Sequence, residues 1–209
     1  ASYEALLSHC EQLEDRVAIL DPPPPDQIEN IDALMRVGVA EIGGEEETEG
    51  EPEGKGLRPR QSDRGFGTFY FPWIVIADPL APTELVQVPP SGHIAGIWAR
   101  TDATRGVHKA PANELVRGAL NVTYHVTRAE LGDLNQAGVN CIRFFTREGI
   151  RVWGARTLAP SSSEWRYLNV RRLFNMIEES IALNTRWIVF EPNDYTLWKS
   201  IRRDISAFL

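Results

Sequence analysis

Apolar residues recur along this chain at two periods, near 3.6 and near 2, and the switching between them predicts helices alternating with short strands. Leu6, Leu7, Cys10 and Leu13 fall at helical spacing, with Ser2 placed to cap the turn before them. Residues 17–20 form a short apolar run that predicts a buried strand. Asp21 and the four prolines 22–25 make a stiff extended spacer, after which Asp26 is placed to cap a second helix bearing Ile28, Ile31, Leu34 and Met35. Residues 66–78, aromatic and β-branched between Gly65 and Pro79, predict one buried strand.

The best-marked helix lies in residues 89–106. Pro89 and Pro90 suit its start, Ile94, Ile97, Trp98 and Thr101 repeat at i, i+3, i+4 and i+7, and Gly106 suits its stop. The opposite face carries Ala95, Gly96 and Ala99. A glycine within a helix costs about 1 kcal/mol relative to alanine, so this small-residue face is expected to touch another element. Pro111 then biases Ala110 away from helix and makes residues 107–113 a stiff extended exit.

Further along, residues 119–126 predict a strand and 128–136 a short helix closed by Gly138. Residues 140–146 and 150–156 predict a hairpin, with Glu148 and Gly149 at the turn. Ser161 and Glu164 have capping-box spacing ahead of a helix that places Val170, Leu173, Phe174, Ile177 and Ile181 on one side. Residues 187–190 predict a short strand. Asn193 or Asp194 then caps a last helix with Leu197, Trp198, Ile201, Ile205 and Phe208 inward and Lys199, Arg202 and Arg203 outward. The whole predicts a single α/β (α+β) domain over residues 1–209, a mixed sheet covered by helices with a β-hairpin.

Composition changes this picture in one place. The chain has 209 residues, 43% of them hydrophobic, enough to bury roughly 70% of the unfolded surface. Its formal charge of −7 owes much to one tract holding Glu45, Glu46, Glu47, Glu49, Glu51 and Glu53. Residues 43–64, rich in Glu, Gly, Pro and Arg, bury too little to offset ordering entropy and predict a long mobile acidic loop. Outside the tract the chain is nearly neutral, and no basic stripe marks a nucleic-acid binder. The longest apolar run, within 66–77, is broken by Gly67, Thr68 and Pro72 and falls short of the ~20 residues of a membrane helix, so a soluble, cytoplasmic protein is expected.

Candidate chemistry is thin. Val17 to Asp21 has the form of an apolar strand ending in a magnesium-binding aspartate, but residues 50–56 lack the spacing and the Ser/Thr of a phosphate loop. Cys141 with His93, His108, His125 and Asp102 would be the members of a Cys/His hydrolase set, yet Cys141 lies inside the apolar pattern CIRFF, where cysteine acts as a small hydrophobe. The two cysteines and four histidines show no metal-ligand spacing. No catalytic residue, metal ligand or cofactor is therefore assigned. The alternatives to a structural role are a small α/β hydrolase or a protein-binding adaptor.

The run PPSG-IAG-ARTDA-RGV-KAPAN in residues 89–113 closely resembles the signature of contractile tail sheath proteins, found in contractile phage tails, R-type pyocins and extracellular contractile injection systems. The likeness continues through NQAGVN (135–140), GIRVWGARTL (149–158) and WRYLNVRRL (165–173). The resemblance implies a structural, non-enzymatic subunit that assembles helically around an inner tube and contracts to drive it through an envelope. It implies as partners other copies of the chain, the tube protein, and baseplate and terminator proteins, with neither nucleic acid nor membrane. It also implies a charged inner helix facing the tube, a role that falls by position on Lys199, Arg202 and Arg203, with Arg171 and Arg172 next. Sheath subunits carry an N-terminal arm and a C-terminal strand that join neighbours by β-augmentation, neither matched here, so the chain is expected to be the core of a longer subunit.

Overall fold

The computed structural model describes residues 2–38 and 56–209. Helix α1 (Ser2–Leu13) leads into β1 (Ala18–Leu20), followed by two 3₁₀ turns at Pro25–Gln27 and Ile31–Leu34. Then come β2 (Gly67–Phe71), β3 (Ile74–Ala77), β4 (Leu85–Val88), α2 (Ser91–Arg105), β5 (Glu114–Leu115), β6 (Ala119–Val122), α3 (Arg128–Gln136) and the hairpin β7 (Val139–Phe145) and β8 (Gly149–Trp153). The chain ends in α4 (Leu168–Asn184), a 3₁₀ turn at Arg186–Phe190 and α5 (Tyr195–Phe208). One sheet has the order β1-β2-β7-β8-β5, parallel from β1 to β7 and antiparallel beyond; a smaller antiparallel sheet has the order β4-β3-β6.

Strand β2 is the centre of the molecule, and the period-2 geometry of a strand explains its uniform burial. Phe69 and Phe71 point into one core with Leu7, Cys10, Leu34, Leu134 and Cys141; Tyr70 points into a second with Ile94, Ile97, Trp98, Ile142 and Leu168. A strand covered on both faces reads as a continuous apolar run, which is how these residues read in sequence.

Several expected elements are corrected. Residues 66–78 are two strands in different sheets, because Pro72 has no N–H for a ladder and the chain turns there; Trp73 then donates its indole N–H to the Pro22 carbonyl at 3.0 Å. The second helix is only the two 3₁₀ turns, and Asn30, not Asp26, caps the later one by accepting from the Asp32 N–H at 2.9 Å. Asn30 itself is extended, and its side chain competes for the backbone donors that a continuous helix would use. Ser163 rather than Ser161 caps the turn Glu164–Arg166, and α4 starts only after the extended Tyr167. Residues 187–190 are helical: after α4 the run closes 3₁₀ bonds onto itself, Ile188 N–H to the Thr185 carbonyl and Glu191 N–H to Ile188, and takes no strand neighbour among the described residues.

The expected mobile loop is corrected over 56–64; residues 43–55 lie outside the described residues. Leu57 packs on the first core, Arg58 donates to the Ala137 carbonyl, and Ser62 is fully buried. Composition misled here because the charges are paired internally. Arg60 forks over Glu11 at 3.0 and 2.7 Å, and Ser62 Oγ donates to the same carboxylate at 2.7 Å. Together these bonds hold the Glu11 carboxyl below its ordinary range.

Helix α2 buries Ile94, Ile97, Trp98 and Thr101, as its spacing requires, and Gly106 stops it at a positive φ of 91°. Its other face departs from expectation. Ala95, Gly96 and Ala99 face outward, and a Cβ placed on Gly96 would meet nothing within 4 Å among the described residues.

Candidate functional site

The C-terminal helices hold all five of the basic residues singled out in the sequence, and they divide those residues into two groups. Helix α4 buries only Leu168, Arg171 and Asn175, all in its first two turns. Arg171 is 0% exposed, its guanidinium lying 4.1 Å from the Trp165 ring centroid and 4.7 Å from that of Phe66. Its Nε donates to Asn175 Oδ1 at 2.7 Å and its Nη2 lies 3.3 Å from Glu178, while Nη1 is buried without a partner. Burial lowers the guanidinium pKa, from a reference so high that the group stays charged. Arg172 forms a forked pair with Asp102 of α2 and lies 4.6 Å from the Trp98 ring centroid.

Arg171 is thereby removed from the set of contact residues, and Arg172 is occupied by α2. An aromatic-rich cluster buries Arg171 and half-buries Arg172, and ring faces replace part of their hydration. The sequence carried a signal for this: Leu168, Arg171 and Asn175 sit at i, i+3 and i+7, so Arg171 occupies a core-facing register. The expected apolar side of α4 was placed one step round the helix, and Phe174 is largely exposed.

Beyond Asn175 no residue of either helix is buried. Asp194 caps α5 by accepting from the Leu197 N–H at 2.8 Å, as expected, yet α5 buries no residue. Ile201, Ile205 and Phe208 instead face Ile181 and Trp187 across a cavity of about 340 Å³. Trp198 is 57% exposed and Phe190 97%, with Val189, Tyr195 and Leu183 also outward. Lys199, Arg202 and Arg203 are all exposed; among the described residues Arg203 pairs only with its neighbour Asp204, at 3.0 Å. A row of cations beside a broad apolar surface suits contact with another macromolecule.

The other candidates fall into structural roles. Cys141 is buried, which pushes its thiol up to about 12, the reverse of what a nucleophile needs. Asp21 accepts from the Ser91 N–H at 2.8 Å and so tethers the start of α2. Burial raises its carboxyl pKa. Among the described residues no cluster of three or more His, Cys, Asp or Glu could hold a metal ion, and no helix is long and apolar enough to cross a membrane.

Comparison with known families matches residues 9–158 to the phage tail sheath protein central domain and residues 160–209 to the phage tail sheath C-terminal domain. The chain belongs to the phage tail sheath family. Among curated relatives, the tail sheath protein of Vibrio phage KVP40 is 31% identical over 125 residues, 58% of this chain and 19% of that protein. The contracted helical sheath of the anti-feeding prophage, solved by cryo-EM, aligns with a TM-score of 0.73 and 29% identity over 99% of this chain and 48% of that one. The contracted sheath complex of the extracellular contractile injection system PVC gives a TM-score of 0.63 and 39% identity over 71% of this chain and 40% of that one. The mixed α/β fold is thus that of sheath proteins, and the chain spans about half or less of each of these relatives. In this sheath chain the boundary between the two family regions falls just before α4, so Arg171 and Arg172 reach across it.

Proposed function

We propose that this chain is the core of a contractile sheath subunit, assembled helically around an inner tube and shortened by rearrangement of near-rigid subunits. The observation that carries this reading is the alignment of 99% of the chain with a contracted sheath subunit. The role is structural and not catalytic: the work of contraction comes from subunit contacts that differ between two packings, which needs no bond-breaking step in this chain. Other copies and a baseplate are its direct neighbours, with a terminator protein at the far end. Assembly takes place in the cytoplasm, and the finished chain is part of a phage tail or tail-like particle. Lys199, Arg202 and Arg203 face the tube.

Electron microscopy of the full-length gene product expressed alone tests the reading. Hollow tubes or stacked rings are expected; dispersed particles across a range of salt concentrations would overturn it. Arg202→Glu with Arg203→Glu is expected to leave folding intact and to weaken co-assembly with the tube protein, read by co-sedimentation. Undiminished co-sedimentation removes these residues from the tube contact.

A further inference from the structure

We infer that the groove between α3 and β8 is a self-contact site, which seats the acidic turns 26–32 of a second copy of this chain. The inference rests on the sheath reading above. The groove has a volume of about 630 Å³, with Arg128, Leu131 and Gln136 of α3 on one side and Trp153 and Arg156 on the other. No carboxylate lines it, and neither Arg128 nor Arg156 takes an acidic partner among the described residues.

The site is held in shape before anything binds. Buried Asn140 accepts from the Arg156 N–H at 2.7 Å and donates to its carbonyl at 2.8 Å, fixing the backbone beneath that guanidinium. Thr127 and Glu130 form a reciprocal capping box that sets the first turn of α3, where Arg128 stands. Trp153 packs at a tilt against Phe145 with ring centroids 4.8 Å apart and remains 39% exposed, an apolar surface in the same groove as the two cations. Two forks without carboxylates and one open ring suit an acidic segment that also carries an aliphatic side chain.

The chain itself offers that chemistry elsewhere. Asp26, Glu29 and Asp32 are exposed, and none of their carboxylates takes a partner among the described residues; Ile28 and Ile31 lie between them, both half-buried. Groove and acidic turns are different patches, so their union between copies is heterologous. A heterologous contact whose rotation does not close propagates as a helix, the symmetry a sheath requires.

The test uses the full-length subunit, with polymer measured by sedimentation and by electron microscopy. Arg128→Glu with Arg156→Glu is expected to lower pelletable polymer at least tenfold, and Asp26→Arg with Glu29→Arg and Asp32→Arg to do the same. Combining all five reversals in one chain is expected to restore polymer. The milder pair Arg128→Gln with Arg156→Gln covers a failure of the reversals to fold. Polymer at the parental level in a folded groove variant overturns the inference, as does failure of the five-fold chain to regain it. A groove variant that polymerises alone but no longer joins the tube protein would assign the groove to the tube, and also overturns it. Should the parent form no polymer, it is the sheath reading that falls.

Discussion

Arg171 shows how far a single residue can depart from its sequence appearance. In a row of basic residues it reads as surface; in the fold it is the largest fully buried side chain among the described residues, held between Trp165 and Phe66. Truncating it to alanine would open a cavity between two rings, and Arg171→Ala is expected to lower stability by about 3 kcal/mol in urea unfolding. Arg171→Met fills the same space without a buried charge or an unpaired Nη1, and is expected to stay within about 1.5 kcal/mol of the parent. Glu11 makes the complementary case. Its carboxyl is held low by Arg60 and Ser62, so the stability it contributes is present above the unfolded carboxyl value of about 4.3 and is lost as pH falls through the lower folded value. Glu11→Gln is expected to cost about 1–2 kcal/mol at pH 7, and the gap between variant and parent should narrow toward pH 3 in the same titration.

Among the elements, those with strong periodicity and local punctuation were legible. Helix α2 follows its apolar stripe and glycine stop, α3 spans the residues the pattern indicated, and the β7–β8 hairpin turns at Gly149 with a φ of 80°. What was not legible depended on partners distant in sequence. Whether 187–190 pairs as a strand depends on a neighbouring edge, and whether 56–64 is ordered depends on Glu11, some fifty residues earlier. The small face of α2 illustrates the same limit. Helical spacing identifies the face, but no neighbour among the described residues covers it. Gly96→Ala is therefore expected to raise the melting temperature, by the equivalent of up to about 1 kcal/mol, because the added methyl meets nothing and the helix loses a glycine. A fall in melting temperature of the unassembled chain would show that the face is covered.

At the scale of the whole molecule, family and fold class were readable from four ordered blocks of sequence, since those blocks build α2, the start of β7, all of β8 and the start of α4. The candidate site was readable only in part. Lys199, Arg202 and Arg203 are where the pattern put them, on an exposed helix face, while Arg171 and Arg172 were claimed by aromatic rings and by Asp102 that no local pattern announces. The groove of Arg128 and Arg156 has no signature in the sequence, because its two walls are separate elements brought together only by folding. Buried Arg171 and half-buried Arg172 also give the molecule a mechanical character. With α4 pinned to the body by these two guanidinium groups through Asn175, and with no residue beyond it buried, the C-terminal helices form a lever arm. A load applied at α5 would reach the central sheet as shear across the rings of Trp165, Phe66 and Trp98, with Asn175 as the fulcrum.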